Sequence, residues 1–423
     1  MLAQFAKVMG SQAGLAVVGL VTLPIIARNF QAELFGRFSL FLVLLGSISL
    51  IDFCRPLLVR KFADLEESFN QDDITAVSLL NLFVVSSTAG SVGAVFLSTP
   101  EALFLTLACF LHAAASPAYA ENAVRFGAGN VQLFRNMLWS FAYLVVATTG
   151  FFVQSIWSYL LPFSIANLAL VFIYGKTASG TAFRPDWRNI YPSDRRIIRD
   201  SWHILSFNLI TAFVSSVDKV GVEKFVGGDV YGRYMAQSTL ALKGNLAGTA
   251  LGQTLYPELS VRMGRDGLNK AADYFARIFC WAMLAFGAAI LIPILASDKI
   301  IDILFGTSYQ TDIDIFAIVL VGVYLQMMGM MLTPWQRARG DFEAARNAYF
   351  VAAIFMLAGA FILIPAYGII GAVGVYLLGR IGELILLIRE WRILFTTRHF
   401  RRYWWVIATN FAIILAVVTV RSF

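Results

Sequence analysis

The strongest constraint on the fold is a series of apolar segments, each long enough to cross a bilayer as a helix. A helix needs ~20 mostly apolar residues to span a hydrocarbon core of ~30 Å. Twelve segments qualify, six on each side of a polar break, and a thirteenth follows near the end of the chain. They occupy residues 8–28, 36–58, 76–98, 101–123, 131–153, 155–175, 203–224, 233–257, 272–297, 311–334, 345–366, 368–390 and 403–420. The sequence therefore predicts an all-α polytopic membrane protein with about twelve transmembrane helices.

The composition supports this interpretation. Hydrophobic residues make up 59% of the 423 residues and charged residues only 14%, whereas a soluble domain carries roughly 25% charged residues. So few charges do not cover a water-exposed surface of this size, and we expect lipid to solvate most of it.

The distribution of basic residues predicts the orientation in the membrane. Of the 33 Lys and Arg residues, 24 fall in the set of alternate loops that contains the N-terminus. The positive-inside rule then places the N-terminus and the central loop in the cytoplasm. This asymmetry also accounts for the net charge of +7, so no nucleic-acid partner is expected.

The C-terminal region leaves two arrangements open. Basic and aromatic residues alternate from Arg398 to Trp405, which is typical of an interfacial anchor. If residues 403–420 span the membrane, the C-terminus lies outside; if they lie on it, the number of spans stays at twelve. We favour a spanning helix.

A short phrase that occurs twice predicts two related halves. Arg28-Asn29-Phe30 is followed by Phe35-Gly36-Arg37-Phe38, and Lys224-Phe225 is followed by Tyr231-Gly232-Arg233-Tyr234. A duplicated hydrophobic half is typical of transporters. We expect one bundle at 1–175, a cytoplasmic loop at 176–202, a second bundle at 203–390, and a terminal segment at 391–423.

No motif predicts an enzyme. The sequence has no nucleotide-binding P-loop, no zinc-site spacing of its three histidines and no catalytic constellation. We therefore expect neither a cofactor nor a metal. Transport would draw on an ion gradient, on the gradient of the substrate or on a partner.

Lys243 is the most conspicuous charge inside an apolar segment. It lies near the middle of the segment 233–257, with no carboxylate within four residues. Ionisable groups in lipid are costly and mark functional sites by default. Lys243 is thus a candidate contact for an anionic substrate. The alternatives are an ion pair with another helix or a side chain that extends to the interface.

A polar stripe on the seventh segment is a second candidate. Asn208, Thr211, Ser215 and Asp218 follow at spacings of three, four and three, which places them on one helical face. The stripe predicts either a cavity wall that binds substrate or a polar seam between helices. Asp218 is a candidate proton or sodium site, or a partner for Lys243.

A similar stripe lies on the fourth segment. It consists of His112, Ser116, Tyr119 and Asn122. A histidine titrates near physiological pH, so His112 is a candidate for ion coupling. A hydrogen-bonded structural histidine is the favoured alternative.

Three further charged residues complete the candidate set. Asp52 lies near the expected inner end of the second helix and is followed by Arg55. It is a candidate for the inner gate and ion coupling, with a structural pair as the alternative. Arg28 and Arg37 flank the first outer loop, where they either guide a phosphate or are ordinary loop residues.

The regions around the duplicated phrase resemble a known family. They comprise Ile26-Ala27-Arg28-Asn29-Phe30, Glu33 to Leu40, Leu50-Ile51-Asp52-Phe53, Val217-Asp218-Lys219 and Phe225 to Tyr234. Together they resemble the O-antigen flippases, the polysaccharide biosynthesis branch of the multidrug/oligosaccharidyl-lipid/polysaccharide exporter superfamily. The chain departs from the family at Arg28-Asn29-Phe30-Gln31, where a glycine is more usual after an apolar residue.

The resemblance implies two six-helix bundles related by pseudo-twofold symmetry in the bacterial inner membrane. It implies alternating access, a cationic cavity that Lys243 suits, and ion coupling at the acid of the seventh helix. The substrate would be an undecaprenyl-diphosphate-linked oligosaccharide, moved from the cytoplasmic to the periplasmic leaflet. Polysaccharide polymerase and chain-length proteins would be further partners.

Other functions remain open on the sequence alone. A multidrug antiporter of the same superfamily would present carboxylates to the cavity, and a lipid II flippase would carry two further helices. A membrane polymerase or ligase would need a long outer loop, and the outer loop around 297–311 is short.

Overall fold

All regular elements in the described part of the chain are helices. The computed structural model describes residues 2–55, 58, 71–126, 128–177, 195–311, 313–339, 342–386 and 394–422. Most of the expected central loop, 178–194, lies outside these residues, so its cytoplasmic location stays a prediction.

Fifteen α-helices of eight residues or more occur in the described residues. Most correspond to expected spans with shifted ends, but α8 and α9 together occupy one expected span and α11 lies in the expected outer loop. They are α1 Leu2–Asn29, α2 Ala32–Leu50, α3 Gln71–Phe96, α4 Thr99–Phe126, α5 Ala128–Thr149, α6 Trp157–Thr177, α7 Arg195–Phe225, α8 Gly228–Leu242, α9 Asn245–Asp266, α10 Leu268–Leu295, α11 Ser297–Phe305, α12 Ile315–Ala338, α13 Phe342–Tyr367, α14 Ile369–Leu386 and α15 Arg398–Ser422.

The helices include many that can cross a bilayer. Within the described residues, nine are both long and apolar enough to do so. One of the nine is Phe400–Val420 in α15, so the thirteenth apolar segment is a helix. The predicted fold class, an all-α polytopic membrane protein, is confirmed.

The expected second helix was too long. It was predicted to reach residue 58, but α2 ends at Leu50 and the chain turns at Ile51. The side chain of Asn81 on α3 accepts hydrogen bonds from the backbone N–H groups of Phe53 and Cys54, at 3.1 and 3.4 Å. Since these donors are satisfied by a side chain, the local structure does not need a continuous helix. Asp52 therefore lies in a link rather than in a helix.

The expected eighth span is also not one helix. The chain breaks at Lys243 and Gly244, between α8 and α9. Hydrogen bonds there join residues three apart, such as Lys243 N to Leu240 O at 3.1 Å and Leu246 N to Lys243 O at 3.1 Å. This is a turn of 3-10 type, which within a longer helix often marks a hinge.

Two compact units make up the chain, residues 1–216 and 217–423. The core of unit 1 is aromatic. The buried ring of Phe38 contacts Phe30, Tyr159 and Phe163, with centroids 6.3, 5.4 and 6.3 Å away. These contacts join α2 to α6 and to the end of α1, and aromatic pairs of this kind add to the stabilisation from buried area.

The core of unit 2 includes α15. Phe275 on α10 stacks on the fully buried Trp335 of α12, with centroids 5.2 Å apart. Tyr324 of α12 lies parallel to Phe411 of α15, at 5.8 Å. The amide of Asn410 donates a hydrogen bond to Leu284 O on α10 at 3.3 Å. The last helix is thus an integral part of unit 2.

Candidate functional site

A cluster of polar side chains lies inside unit 1 among the link after α2, α4 and α5. We call it the Asp52 cluster. Its members are Asp52, Arg55, His112, Ser116, Tyr119 and Arg135. In a membrane protein such a group is costly, which makes it a candidate functional site.

Asp52 is the acceptor at the centre of this cluster. Its carboxylate accepts a short hydrogen bond from the Ser116 hydroxyl and a second from the Arg55 backbone N–H at 3.2 Å. The Arg55 Nε lies 3.6 Å from it and His112 Nε2 lies 3.7 Å from it. Four groups therefore converge on one carboxylate that is 5% exposed.

The structure brings together two residues that the sequence nominated separately. His112 and Asp52 were assigned to different helices, yet both contact Arg55. The Arg55 Nη2 lies 3.2 Å from His112 Nε2, and its guanidinium carbon lies 4.0 Å from the centre of the Tyr119 ring. Asn208 on α7 joins them, because its amide donates to Asp52 O at 3.4 Å.

Arg135 makes the cluster cationic. It lies within α5 rather than in a loop, about 10 Å along the helix from its start. Arg135 is within electrostatic range of Arg55 and His112, and no carboxylate of the described residues lies within 4 Å of it. Among the described residues, the Arg55 guanidinium thus has one carboxylate within 4 Å, Asp52, and the Arg135 guanidinium has none.

Asp218 is the centre of a smaller site in unit 2. The Tyr234 hydroxyl donates a hydrogen bond to its Oδ2 at 2.6 Å, and Lys219 Nζ lies 3.3 Å from its Oδ1. Asp218 and Tyr234 are 2% and 1% exposed. The partners of Asp218 in the described residues are therefore Tyr234 and Lys219, not Lys243.

The remaining members of the seventh-helix stripe have local partners. Thr211 donates to Phe207 O at 2.9 Å and Ser215 donates to Ala212 O at 2.8 Å. Hydroxyls bonded back to their own helix satisfy themselves without a ligand. Their assignment to substrate binding stays a prediction.

Lys243 lies at the break between α8 and α9. It is about 22 Å along the chain from the start of α8, within the thickness of a hydrocarbon core. No carboxylate of the described residues lies within 4 Å of its Nζ. A β-carbon on the next residue, Gly244, would lie 3.0 Å from Val323 on α12, so the break packs tightly against that helix.

The two nominated outer arginines differ. Arg28 is exposed at the end of α1. Arg37 on α2 is paired, because its Nη2 lies 2.7 Å from a carboxylate oxygen of Glu101 and 3.0 Å from the Ser98 hydroxyl. The other oxygen of Glu101 accepts a short hydrogen bond from Tyr159. Glu101 is 1% exposed, so Arg37 balances a buried charge.

A further buried ion pair lies inside unit 2. Arg380 and Glu383, three residues apart on α14, lie 3.0 Å apart and are almost fully buried. Gly329 on α12 leaves room for the carboxylate. This pair is internally neutral, unlike the Asp52 cluster.

Comparison with solved structures identifies the fold. The structure of a lipid II flippase, MurJ in an inward closed conformation, matches with a TM-score of 0.69 and 12% identity, covering 97% of this chain and 96% of that one. An inward-facing multidrug resistance MATE family transporter of the MOP superfamily matches with a TM-score of 0.55 and 13% identity, covering 97% and 95%. The chain therefore shares the fold of these two transporters.

A third solved transporter also matches the fold, whereas searches of family models and of curated proteins found no match. A mutant form of the Vibrio cholerae MATE transporter VcmN matches with a TM-score of 0.54 and 12% identity over 94% of this chain and 95% of that one. No family model matches the sequence, and no curated protein matches it. These structural matches establish the fold, but at identities this low they leave the substrate open.

Sequence reasoning missed two members of the Asp52 cluster. Arg55 was considered only as half of a structural pair with Asp52, and Arg135 was not nominated as a site residue. The available signal for Arg135 was its position inside the segment 131–153 with no acidic residue nearby. Their proximity to His112 depends on how α4, α5 and the link after α2 pack, which no local pattern reveals.

Proposed function

We propose that this chain is a flippase that moves an undecaprenyl-diphosphate-linked oligosaccharide across the cytoplasmic membrane by alternating access. A diphosphate and a hydrophilic glycan do not cross ~30 Å of hydrocarbon unaided. The fold shared with a lipid II flippase and with drug transporters supports a transporter of an amphiphile.

The observation that carries the choice of an anionic substrate is the cation excess of the Asp52 cluster. Arg55 and Arg135 face a single carboxylate. Arginine suits phosphate because its planar fork donates paired hydrogen bonds to two oxygens. Lys243 adds a further cation without a carboxylate within 4 Å in the described residues. A carrier of organic cations would need the opposite balance.

Asp218 is the proposed ion-coupling residue, with Asp52 and His112 as a second candidate group. Protonation of Asp218 would remove the attraction between its carboxylate and the Lys219 ammonium. It would also weaken the hydrogen bond that the Tyr234 hydroxyl donates to this carboxylate. A buried carboxylate with two partners on different helices is suited to link its charge state to helix packing.

Arg135→Gln is the sharpest test. It removes a cation without stranding a carboxylate, so the variant should remain folded. A host that lacks its own O-antigen flippase is complemented with each variant, and surface polysaccharide is compared at equal membrane abundance. Arg125→Gln is the matched control, because Arg125 is an exposed cation at the end of α4.

We expect the wild type and Arg125→Gln to restore long glycan, and Arg135→Gln and Lys243→Ala to reduce it at least about tenfold. Equal glycan from all four would remove the cationic site from the proposal. A wild type that fails in several hosts but confers resistance to cationic dyes would instead establish the multidrug antiporter.

A further inference from the structure

The two copies of the duplicated phrase place an arginine in contrasting surroundings. Arg37 on α2 corresponds to Arg233 on α8, since each follows an aromatic residue and a glycine. Arg37 is held by the buried Glu101. The partner of Arg233 is Asp229, one turn earlier on α8 at 2.9 Å, and both side chains are well exposed, at 39% and 55%. An exposed pair of this kind contributes little to stability.

Arg233 also lines a pocket in unit 2. The pocket has a volume of about 360 Å³. The Arg233 Nε is buried and has no hydrogen-bond partner among the described residues. A buried donor without an acceptor is costly, and an anion in the pocket would satisfy it.

The surroundings of the two arginines can be compared span by span, because the two units have the same order of spans. Counting spans from α1 and from α7, the fourth spans are α4 and α12 and the sixth are α6 and α14. In unit 1 the starts of the fourth and sixth spans supply Glu101 and Tyr159 to the arginine site. In unit 2 the described residues that line the pocket at the same places are neutral, namely Thr311, Ile313, Ile369 and Ile370. The carboxylate of Asp314 at the start of α12 instead accepts hydrogen bonds from the Ser297 hydroxyl and the Ala317 N–H. In the described residues, the second copy therefore has no counterpart of the buried Glu101 within 4 Å of its arginine, whose ion-pair partner is the exposed Asp229.

We propose that the pocket around Arg233 binds a phosphoryl group attached to a lipid. The guanidinium and the amide of Gln310 provide donors for phosphate oxygens. The isoleucine side chains form an apolar wall suited to the adjoining hydrocarbon. Under the orientation predicted from the basic loops, this end of unit 2 lies outside. This inference rests on the proposed function, in which the pocket receives the diphosphate of the translocated lipid.

The test uses a thiol introduced by Ile370→Cys at the rim of the pocket, where the side chain is 53% exposed. The three native cysteines are buried, so N-ethylmaleimide should react first at the new position. The protein is reconstituted in phosphatidylcholine vesicles. The labelling rate is then measured against increasing farnesyl diphosphate and, separately, inorganic pyrophosphate.

We expect farnesyl diphosphate to slow the labelling. Arg233→Gln should raise the concentration for half-protection at least about tenfold, as expected for loss of charge-assisted hydrogen bonds. Asp229→Asn should lower it about twofold, because it removes a competing carboxylate. Lys299→Gln, an exposed charge change on α11 outside the pocket, should leave it unchanged. The opposite directions of the first two changes exclude misfolding as their cause.

Two results would overturn the proposal. One is protection of Arg233→Gln at the same concentration as the parent. The other is equal protection by inorganic pyrophosphate, which would make the pocket a site for free phosphate rather than for a lipid. The labelling assay does not depend on transport, so its result and the complementation result are independent. A pocket that fails to bind the lipid would not contradict the proposed flippase function, and failed complementation would not contradict binding in the pocket.

Discussion

The hydroxyl of Tyr234 donates a 2.6 Å hydrogen bond to Asp218, and it thereby joins α8 to α7 at a buried carboxylate. Lys219 contacts the other oxygen of the same carboxylate. We therefore expect both stability and ion coupling to depend on Asp218, and paired substitutions can separate the two.

Asp218→Asn should lower both stability and transport. It removes the negative charge 3.3 Å from Lys219 Nζ, at a cost of about 1–3 kcal/mol. The double variant Asp218→Asn/Lys219→Gln removes both charges and should recover most of the melting temperature. If Asp218 couples an ion, transport stays low in both variants. Recovery of transport in the double variant would assign Asp218 a structural role alone.

Glu101→Gln should destabilise the protein more than Asp229→Asn. Glu101 is almost fully buried and accepts from Arg37, Ser98 and Tyr159, so its neutralisation should cost about 2 kcal/mol or more. Asp229 forms an exposed pair worth less than ~1 kcal/mol. Thermal melting followed by size-exclusion chromatography measures the stability of both variants. Equal melting temperatures would contradict the expected difference between them.

Gly371→Ala should disrupt the hairpin of α13 and α14, whereas Gly374→Ala should be tolerated. A β-carbon on Gly371 would clash with the backbone of Leu363 and Ile364, which has no flexible end to move aside. The same atom on Gly374 would lie 3.7 Å from the Leu363 side chain, an ordinary contact. Membrane abundance and melting temperature of the two variants should therefore differ, although both lie on α14.

The C-terminus should lie on the opposite side of the membrane from residue 396. The helix α15 contains the apolar stretch Phe400–Val420 and packs against α10 and α12. Alkaline phosphatase fused after Phe423 should be active, and the same fusion after Thr396 inactive, since the enzyme matures only outside the cytoplasm. Matching activities would place α15 along the membrane surface.

The lengths and composition of the apolar segments were sufficient to predict the helices, because lipid requires every backbone group to be bonded within its own segment. The two misjudged spans both involve backbone bonding that hydropathy does not report. Asn81 ends the helix before Asp52 by bonding to Phe53 and Cys54. The helix is interrupted at Lys243, where hydrogen bonds of 3-10 type replace the regular α-helical hydrogen bonds.

The sequence identified individual candidate residues but not their partners. The rule that charges in apolar segments are costly found Lys243, Asp218 and His112 one at a time. It gave no partners, since Tyr234 is sixteen residues from Asp218, and Arg55 is 57 residues from His112. Such pairings arise from helix packing.

The sequence by itself determined that this chain is a helical membrane protein with a repeated phrase in each half, because hydropathy and local identity are properties of residues in order. Only the tertiary structure decided that Arg37 pairs with the buried Glu101, while its counterpart Arg233 pairs with the exposed Asp229 and lines a pocket. The physical reason is that the surroundings of an arginine side chain depend on what distant helices bring within a few ångströms, such as Glu101 in one unit and Ile369 in the other.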